Sequence, residues 1–281
     1  MDAPINIKIN EGMDFFIKKP NARLLSYIDL IWASNGKPSF KEERIIPDGS
    51  CLLLFNFGKP VASVSAKLHL PIKRCVFTGV FTNFISMKYE SEEKIHQQVG
   101  VIFKSGGAYP FIKIPIEEFK NQAIDADLIN KNLFENIYHD LGEVESCETK
   151  ILILEKLLTN ILSKFDSLTL PQDFINLVKF RNELNINAII DKTGYSHQYV
   201  NKILRSHAGV SIKSLQNIFK VGQAIQMLQG DSKIENFTSL AHELNYFDQA
   251  HFIHQIKKMT GFTPKEFKKL SLPITSRVIY L

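Results

Sequence analysis

Cysteine is scarce and poorly spaced for chemistry. The 281 residues hold three, Cys51, Cys75 and Cys147. They form no C-x-x-C pair, which argues against a disulfide framework or a zinc knuckle. They read as the reduced thiols of a cytoplasmic protein. Long apolar runs are missing too. The most apolar short stretch, Cys51 to Phe57, falls far below the ~20 residues a spanning helix needs. Met1-Asp2-Ala3-Pro4 has neither the basic nor the apolar region of an export signal. Gly106-Gly107 follows a strand-like run, but no G-x-x-x-x-G-K-[ST] or G-x-G-x-x-G accompanies it, so it reads as a turn. His242-Glu243 has Tyr246 where a zinc protease needs its second histidine. His251 and His254 have helical ligand spacing but no cysteine or carboxylate cluster to complete a site. Cys51 and Cys75 have no evident base beside them. The expectation is a soluble, cytoplasmic protein that is not an enzyme and uses no metal or cofactor.

What is present is unevenly distributed. Of the 34 basic and 29 acidic residues, 14 and 8 lie from Pro171 onward, so that segment carries +6 and the remainder −1. A basic excess confined to one segment is the electrostatic footprint of a nucleic-acid-binding part. The same segment contains a helical unit twice, Asn185 to Gln216 and Asn236 to Lys268. Each opens on an Asn suited to cap a helix. Each continues through a short apolar helix, Ile186-Ala188-Ile189-Ile190 or Phe237-Leu240-Ala241-Leu244, to a tight turn, Gly194-Tyr195-Ser196 or Asn245-Tyr246-Phe247. Each then enters a second helix and closes on Gly209-Val210-Ser211 or Gly261-Phe262-Thr263-Pro264. The offset is 51 at the caps and turns and 52 at the closing glycines, because the second turn has one extra residue.

Two helix-turn-helix units in one chain suit two stretches of duplex DNA. A helix fits the major groove, where each base pair shows a distinct donor–acceptor pattern, and the preceding helix and turn hold it at a fixed angle. Gly194 permits a left-handed backbone, and Asn245 is the next most tolerant choice. Ser196 and Asp248 are the expected caps of the two recognition helices. Val200, Ile203 and Leu204 should pack inward in the first, Phe252 and Ile256 in the second. His197, Gln198, Asn201, Lys202 and Arg205 then face outward, as do Gln249, His251, Ile253, His254, Lys257 and Lys258. Gln and Asn pair with adenine and Lys donates to guanine. The basic residues late in each helix, with His197, Lys213 and Lys265, suit phosphates, which set register. Ser214 to Gln229 should be a helical connector packed against both units. Its stiffness would place the recognition helices about one turn of DNA apart, roughly 34 Å or 10 bp.

The first part reads as α+β. Tyr27 to Trp32, Cys51 to Phe57, Arg74 to Thr78 and Gln98 to Phe103 are strand-like, with a turn at Pro47-Asp48-Gly49. Pro115 to Phe119 looks like a helix start. Leu128 to Tyr138 and Ile151 to Ile161 have helical spacing. Trp32, Phe55, Phe57, Phe77 and Phe103 are candidate lining for an effector pocket, with no ligand named. The expected architecture is an α+β domain at 1–166, a linker at 167–173 around Ser167 to Pro171, and an all-α domain at 174–281. The latter holds unit one at 185–216, unit two at 236–268 and a connector helix between them.

The stretch Asn185 to Leu270 resembles the DNA-binding domain of AraC/XylS-type transcriptional regulators. Gly194-Tyr195-Ser196, Gly209-Val210-Ser211, Asp248-Gln249-Ala250-His251-Phe252 and Gly261-Phe262-Thr263-Pro264 carry the resemblance. The first part is similar to the sensor-like domain of one subgroup, through Ile46-Pro47-Asp48-Gly49, Val101-Ile102-Phe103 and Gly106-Gly107-Ala108-Tyr109. The resemblance implies a bacterial, cytoplasmic transcription factor. It implies base-reading positions at Gln198, Asn201 and Lys202 in unit one, and at Gln249, His251, Ile253 and His254 in unit two. Double-stranded DNA is the expected partner. RNA polymerase, a small-molecule effector and a second copy of the chain are further candidates, and no membrane is expected. The chain departs from the family pattern at Asn245, where Gly is usual, and at Phe247, where a small polar residue is usual. His254 replaces a frequent Arg, and Ile190 a frequent Ala. The reading to test against this one is a protein-interaction adaptor whose helical repeats bind partners other than DNA.

Overall fold

The computed structural model describes residues 3–10, 12–59, 62–63, 74–88, 95–163, 190–191, 194–230, 236–270 and 277–281. The expected linker at 167–173 lies outside them. The first strands are β1 (Ile5–Asn10), β2 (Met13–Lys18), β3 (Ile28–Gly36), β4 (Glu42–Ile45), β5 (Cys51–Asn56) and β6 (Ala62–Ser63). They continue with β7 (Cys75–Thr78), β8 (Ile85–Lys88), β9 (His96–Phe103), β10 (Ala123–Asp125) and β11 (Val278–Tyr280). One sheet has seven strands in the order β1-β2-β3-β9-β5-β7-β10, and a second has four in the order β11-β4-β8-β6. Every strand pairing among the described residues is antiparallel.

Register decides which side chains share a face of the larger sheet. Ile31, Val101, Leu53 and Phe77 form one cross-strand row, and Ala33, Val99, Phe55 and Cys75 form the next. All eight are buried. They join a core with helices α1 (Tyr109–Ile112), α2 (Asp127–Gly142) and α3 (Cys147–Leu162), the last two of which supply Phe134, Ile137, Leu141, Ile151, Leu154 and Leu158. Successive strand residues point to opposite faces, so the row Trp32-Gly100-Leu54-Val76 lies on the other side. Gly100 makes room there, since a Cβ would sit 3.0 Å from the Trp32 indole. Phe15 stacks on the same indole at 5.3 Å between ring centroids.

This parity corrects the candidate pocket. Phe55, Phe77 and Phe103 are fully buried in the core on the helix side. Phe77 meets Phe119 edge-on at 5.2 Å, and Phe103 lies 5.1 Å from Phe111. Phe57 stacks on Tyr138 of α2 at 4.7 Å. Trp32 is on the opposite face. The five residues therefore do not converge on one cavity. Two smaller corrections follow. Pro115 to Phe119 is a single 3₁₀ turn, Ile116–Phe119. The domain expected to be all-α at 174–281 is not wholly helical, because residues 278–280 form β11. Val278 pairs with Ile45, Ile279 with Arg44, and Tyr280 with Glu43 of β4. Three residues are too few for a periodic signal.

Charge is buried beneath α3. Lys18 of β2 and Glu155 of α3 form an ion pair at 2.7 Å, with side chains only 2% and 5% exposed. The Asn21 backbone N–H donates to the same carboxylate oxygen at 2.8 Å. Lys150 is also buried. It donates to the Leu141 carbonyl oxygen and sits 4.2 Å from the centroid of the Phe57 ring. Burial pulls its pKa down. All three cysteines are buried, and burial raises their thiols, Cys147 to about 11 and the other two further. They are protonated packing groups, as the missing base suggested. Removing one member of the Lys18–Glu155 pair strands the other without its counter-charge. Glu155→Leu is expected to cost roughly 3–5 kcal/mol in denaturant unfolding, and Lys18→Met with Glu155→Leu should recover most of that loss.

Candidate nucleic-acid interface

The second half is built on α4 (His197–Ala208), α5 (Ile212–Gly230), α6 (Phe237–Glu243), α7 (Gln249–Thr260) and α8 (Pro264–Lys268). The first helix of unit one, expected around Ile186 to Ile190, falls outside the described residues except for Ile190 and Asp191, which are helical. In unit two, the Asn236 side chain caps α6 by accepting from the backbone N–H groups of Thr238 and Ser239. The two turns reach the left-handed conformation with different residues, Gly194 at φ +71° and Asn245 at φ +54°. Ser196 then caps α4 through the Tyr199 N–H, and Asp248 caps α7 through the His251 N–H. Each recognition helix ends on a left-handed glycine, Gly209 at φ +72° and Gly261 at φ +80°. Thr263 and Glu266 close a reciprocal capping box at α8. The backbone N–H of Thr263, then its hydroxyl, donates to the Glu266 carboxylate and lowers its pKa.

Burial sorts each recognition helix into two sides. Val200 and Leu204 in α4, and Phe252 and Ile256 in α7, are buried. Gln198, Lys202, Gln249, His251 and His254 are exposed, as are His197, Arg205, Lys213, Lys257, Lys258 and Lys265. Asn201 and Ile253 are half-buried, and Ile253 packs against the core. Ile203, expected inside, is also half-buried. The polar residues are partly engaged with one another. The Asn201 amide nitrogen lies 2.9 Å from His197 Nδ1 and donates to the His197 carbonyl oxygen at 3.1 Å. Thr238 of α6 donates to Gln249 Oε1 at 2.9 Å. A Gln255 amide nitrogen lies 3.3 Å from His251 Nε2.

Unit two is braced by α5 through residues the periodicity did not single out. Asn217 donates to Gln255 Oε1 at 2.7 Å. Lys220 Nζ donates to the Asn245 carbonyl oxygen at 3.0 Å and lies 5.7 Å from the Tyr246 ring centroid. Tyr246 is buried against Phe252.

The first domain touches the far end of each recognition helix. A Cβ on Gly209 would come within 2.8 Å of the Ile116 side chain and 3.2 Å of its carbonyl oxygen. Two residues back, the His207 ring lies 4.1 Å from the Tyr109 ring, and burial lowers the His207 pKa. A Cβ on Gly261 would run into the Arg44 guanidinium of β4. That guanidinium donates to the Thr260 carbonyl oxygen at 3.3 Å and lies 4.6 Å from the centroids of both Phe84 and Phe262. Gly49 leaves the space filled by Leu215 and Phe219 of α5. No sequence signal pairs these residues, because the contacts join distant segments.

The glycines can be ranked. Nothing lies within 4 Å of a Cβ on Gly194, so Gly194→Ala should cost only the backbone strain, about 1–2 kcal/mol. Gly261→Ala should cost more by thermal or denaturant unfolding. In a double-mutant cycle, Arg44→Ala should remove the excess.

Among the described residues, no group of three or more His, Cys, Asp or Glu could hold a metal ion. No described helix is long and apolar enough to cross a membrane. Residues 18–125 match a family described as a domain of unknown function (DUF6597). No curated protein matches the chain. Among solved structures, it is similar to ToxT from Vibrio cholerae, at 15% identity over 85% of this chain and 97% of that one, with a TM-score of 0.43. It is also similar to the C-terminal domain of AraT, a response regulator from Geobacillus stearothermophilus. That match has 16% identity over 37% of this chain and 87% of that one, with a TM-score of 0.32. A third is the xylose-binding transcription activator XylR, at 16% identity over 53% and 40%, with a TM-score of 0.29. Residues 189–270 match a family described as a helix-turn-helix domain, and this part of the chain is accordingly a helix-turn-helix domain.

Proposed function

We propose that the protein is a sequence-specific transcription regulator that lays α4 and α7 into adjacent major grooves. The observation that carries this is the paired construction of the two helices. Each has a polar cap after a left-handed turn, a buried apolar side, an exposed polar and cationic side, and a left-handed glycine at its end. In this reading Gln198, Asn201, Lys202, Gln249, His251, Ile253 and His254 meet bases, and His197, Arg205, Lys213, Lys257, Lys258 and Lys265 meet phosphates. Asn201 reaches a base by giving up its bonds to His197. The first domain senses an effector or joins two copies. A change there reaches the recognition helices through Ile116 and Arg44.

Selection from a randomised pool of duplexes with the full chain is the direct test, and failure to enrich any sequence would refute the proposal. On a selected duplex, five neutralised phosphates give a slope of log K against log salt of about −4 to −5. An adaptor binding through apolar surface would show almost no slope. Unit one is expected to dominate, because the imidazole of His254 lacks the forked donor geometry by which the Arg frequent there grips guanine or phosphate. Lys202→Ala should therefore weaken binding more than His254→Ala in the same titration, and the opposite order would assign the dominant role to unit two.

A further inference from the structure

Aligned from both ends, the two units leave one residue unmatched. Tyr195 is followed at once by the cap Ser196, whereas Tyr246 is followed by Phe247 and then the cap Asp248. The structure keeps the equivalences on either side. Tyr195 and Tyr199 have ring centroids 4.8 Å apart, and Tyr246 and His251, in the matching places, are 5.5 Å apart. Val200 and Phe252 both enter the core. Phe247 is thus the extra residue of the second turn, and its side chain is 90% exposed.

A phenyl ring left in water is unfavourable relative to burial. The neighbouring backbone is firmly held. Lys220 binds the Asn245 carbonyl oxygen, Tyr246 is buried beside it, and Asp248 starts α7. The ring is therefore presented from a braced turn at the N-terminal end of the recognition helix, the end that approaches base edges in helix-turn-helix proteins. Exposed Gln249 follows two residues later. The major-groove edge offers one apolar group to such a ring, the C5-methyl of thymine.

Resting on the proposed DNA-binding function, we infer that Phe247 is a specificity-determining residue of unit two that reads a thymine methyl at the edge of its half-site. The extra residue in the turn gives unit two an apolar contact that unit one lacks.

The experiment is a paired duplex selection with the full chain and with Phe247→Ser, followed by affinity measurements on the selected duplex with that thymine replaced by deoxyuridine. Thermal unfolding of the variant should match the parent, since Phe247 is 90% exposed. The parent matrix should contain a thymine column that is flattened in the variant, with the other columns intact. The deoxyuridine duplex should bind the parent about four-fold more weakly, the loss expected for one buried methyl group, and should bind the variant no differently from the thymine duplex. Identical matrices would overturn the inference, as would a loss for Phe247→Ser that is uniform across all duplexes. If the parent selects no sequence at all, the DNA-binding proposal itself fails, which is a distinguishable result.

Discussion

The closing glycines of the two recognition helices do double duty, and the arrangement of the molecule rests on them. A left-handed residue ends an α-helix by turning its last amide back onto the preceding turn, as the N–H groups of Gly209 and Gly261 do with the carbonyl oxygens of Arg205 and Lys257. Without a side chain, the same residue lets another segment come close. At Gly209 that segment is the 3₁₀ turn containing Ile116, and at Gly261 it is Arg44 with Phe84. The atoms that end each helix are thus also the atoms that seat it on the first domain. Any larger residue would disturb both at once. The repeated glycine of the sequence motif is explained by helix termination in both units and by close packing in both.

Arg44 shows how a charged group can serve such a joint. Its guanidinium lies against two aromatic rings and donates to a carbonyl oxygen at the C-terminal end of α7. Helix C-termini favour positive charge, and a planar, weakly hydrated cation stacks well on aromatic faces. Lysine would keep the charge and lose the stacking. The buried Lys18–Glu155 pair solves a different problem by fixing α3 to β2 at a set position along the sheet. Both interactions are directional, whereas the surrounding apolar packing is not. Directional contacts of this kind are suited to fixing where one layer sits on another.

The local parts of this design were readable in the sequence because their causes are local. Asn236, Ser196 and Asp248 cap the helices they precede, and Gly194 and Asn245 take the left-handed turn conformation. Val200, Leu204, Phe252 and Ile256 face inward as their spacing requires. What escaped was non-local. Trp32, Phe55, Phe57, Phe77 and Phe103 looked like a single group, yet strand parity and cross-strand register put Trp32 on the other face, and only pairing reveals register. β4, β8 and β11 are too short to show a period.

The last strand has a consequence for how the chain is made. β4 emerges from the ribosome long before β11, its hydrogen-bonded neighbour at the sheet edge. Domains generally assemble in order of synthesis, but this edge cannot be completed until the whole DNA-binding segment has been translated. Until then β4 presents bare amides and carbonyls of the sort that invite pairing with a stranger. A nascent chain would carry that open edge until residues 278–280 arrive to cover it.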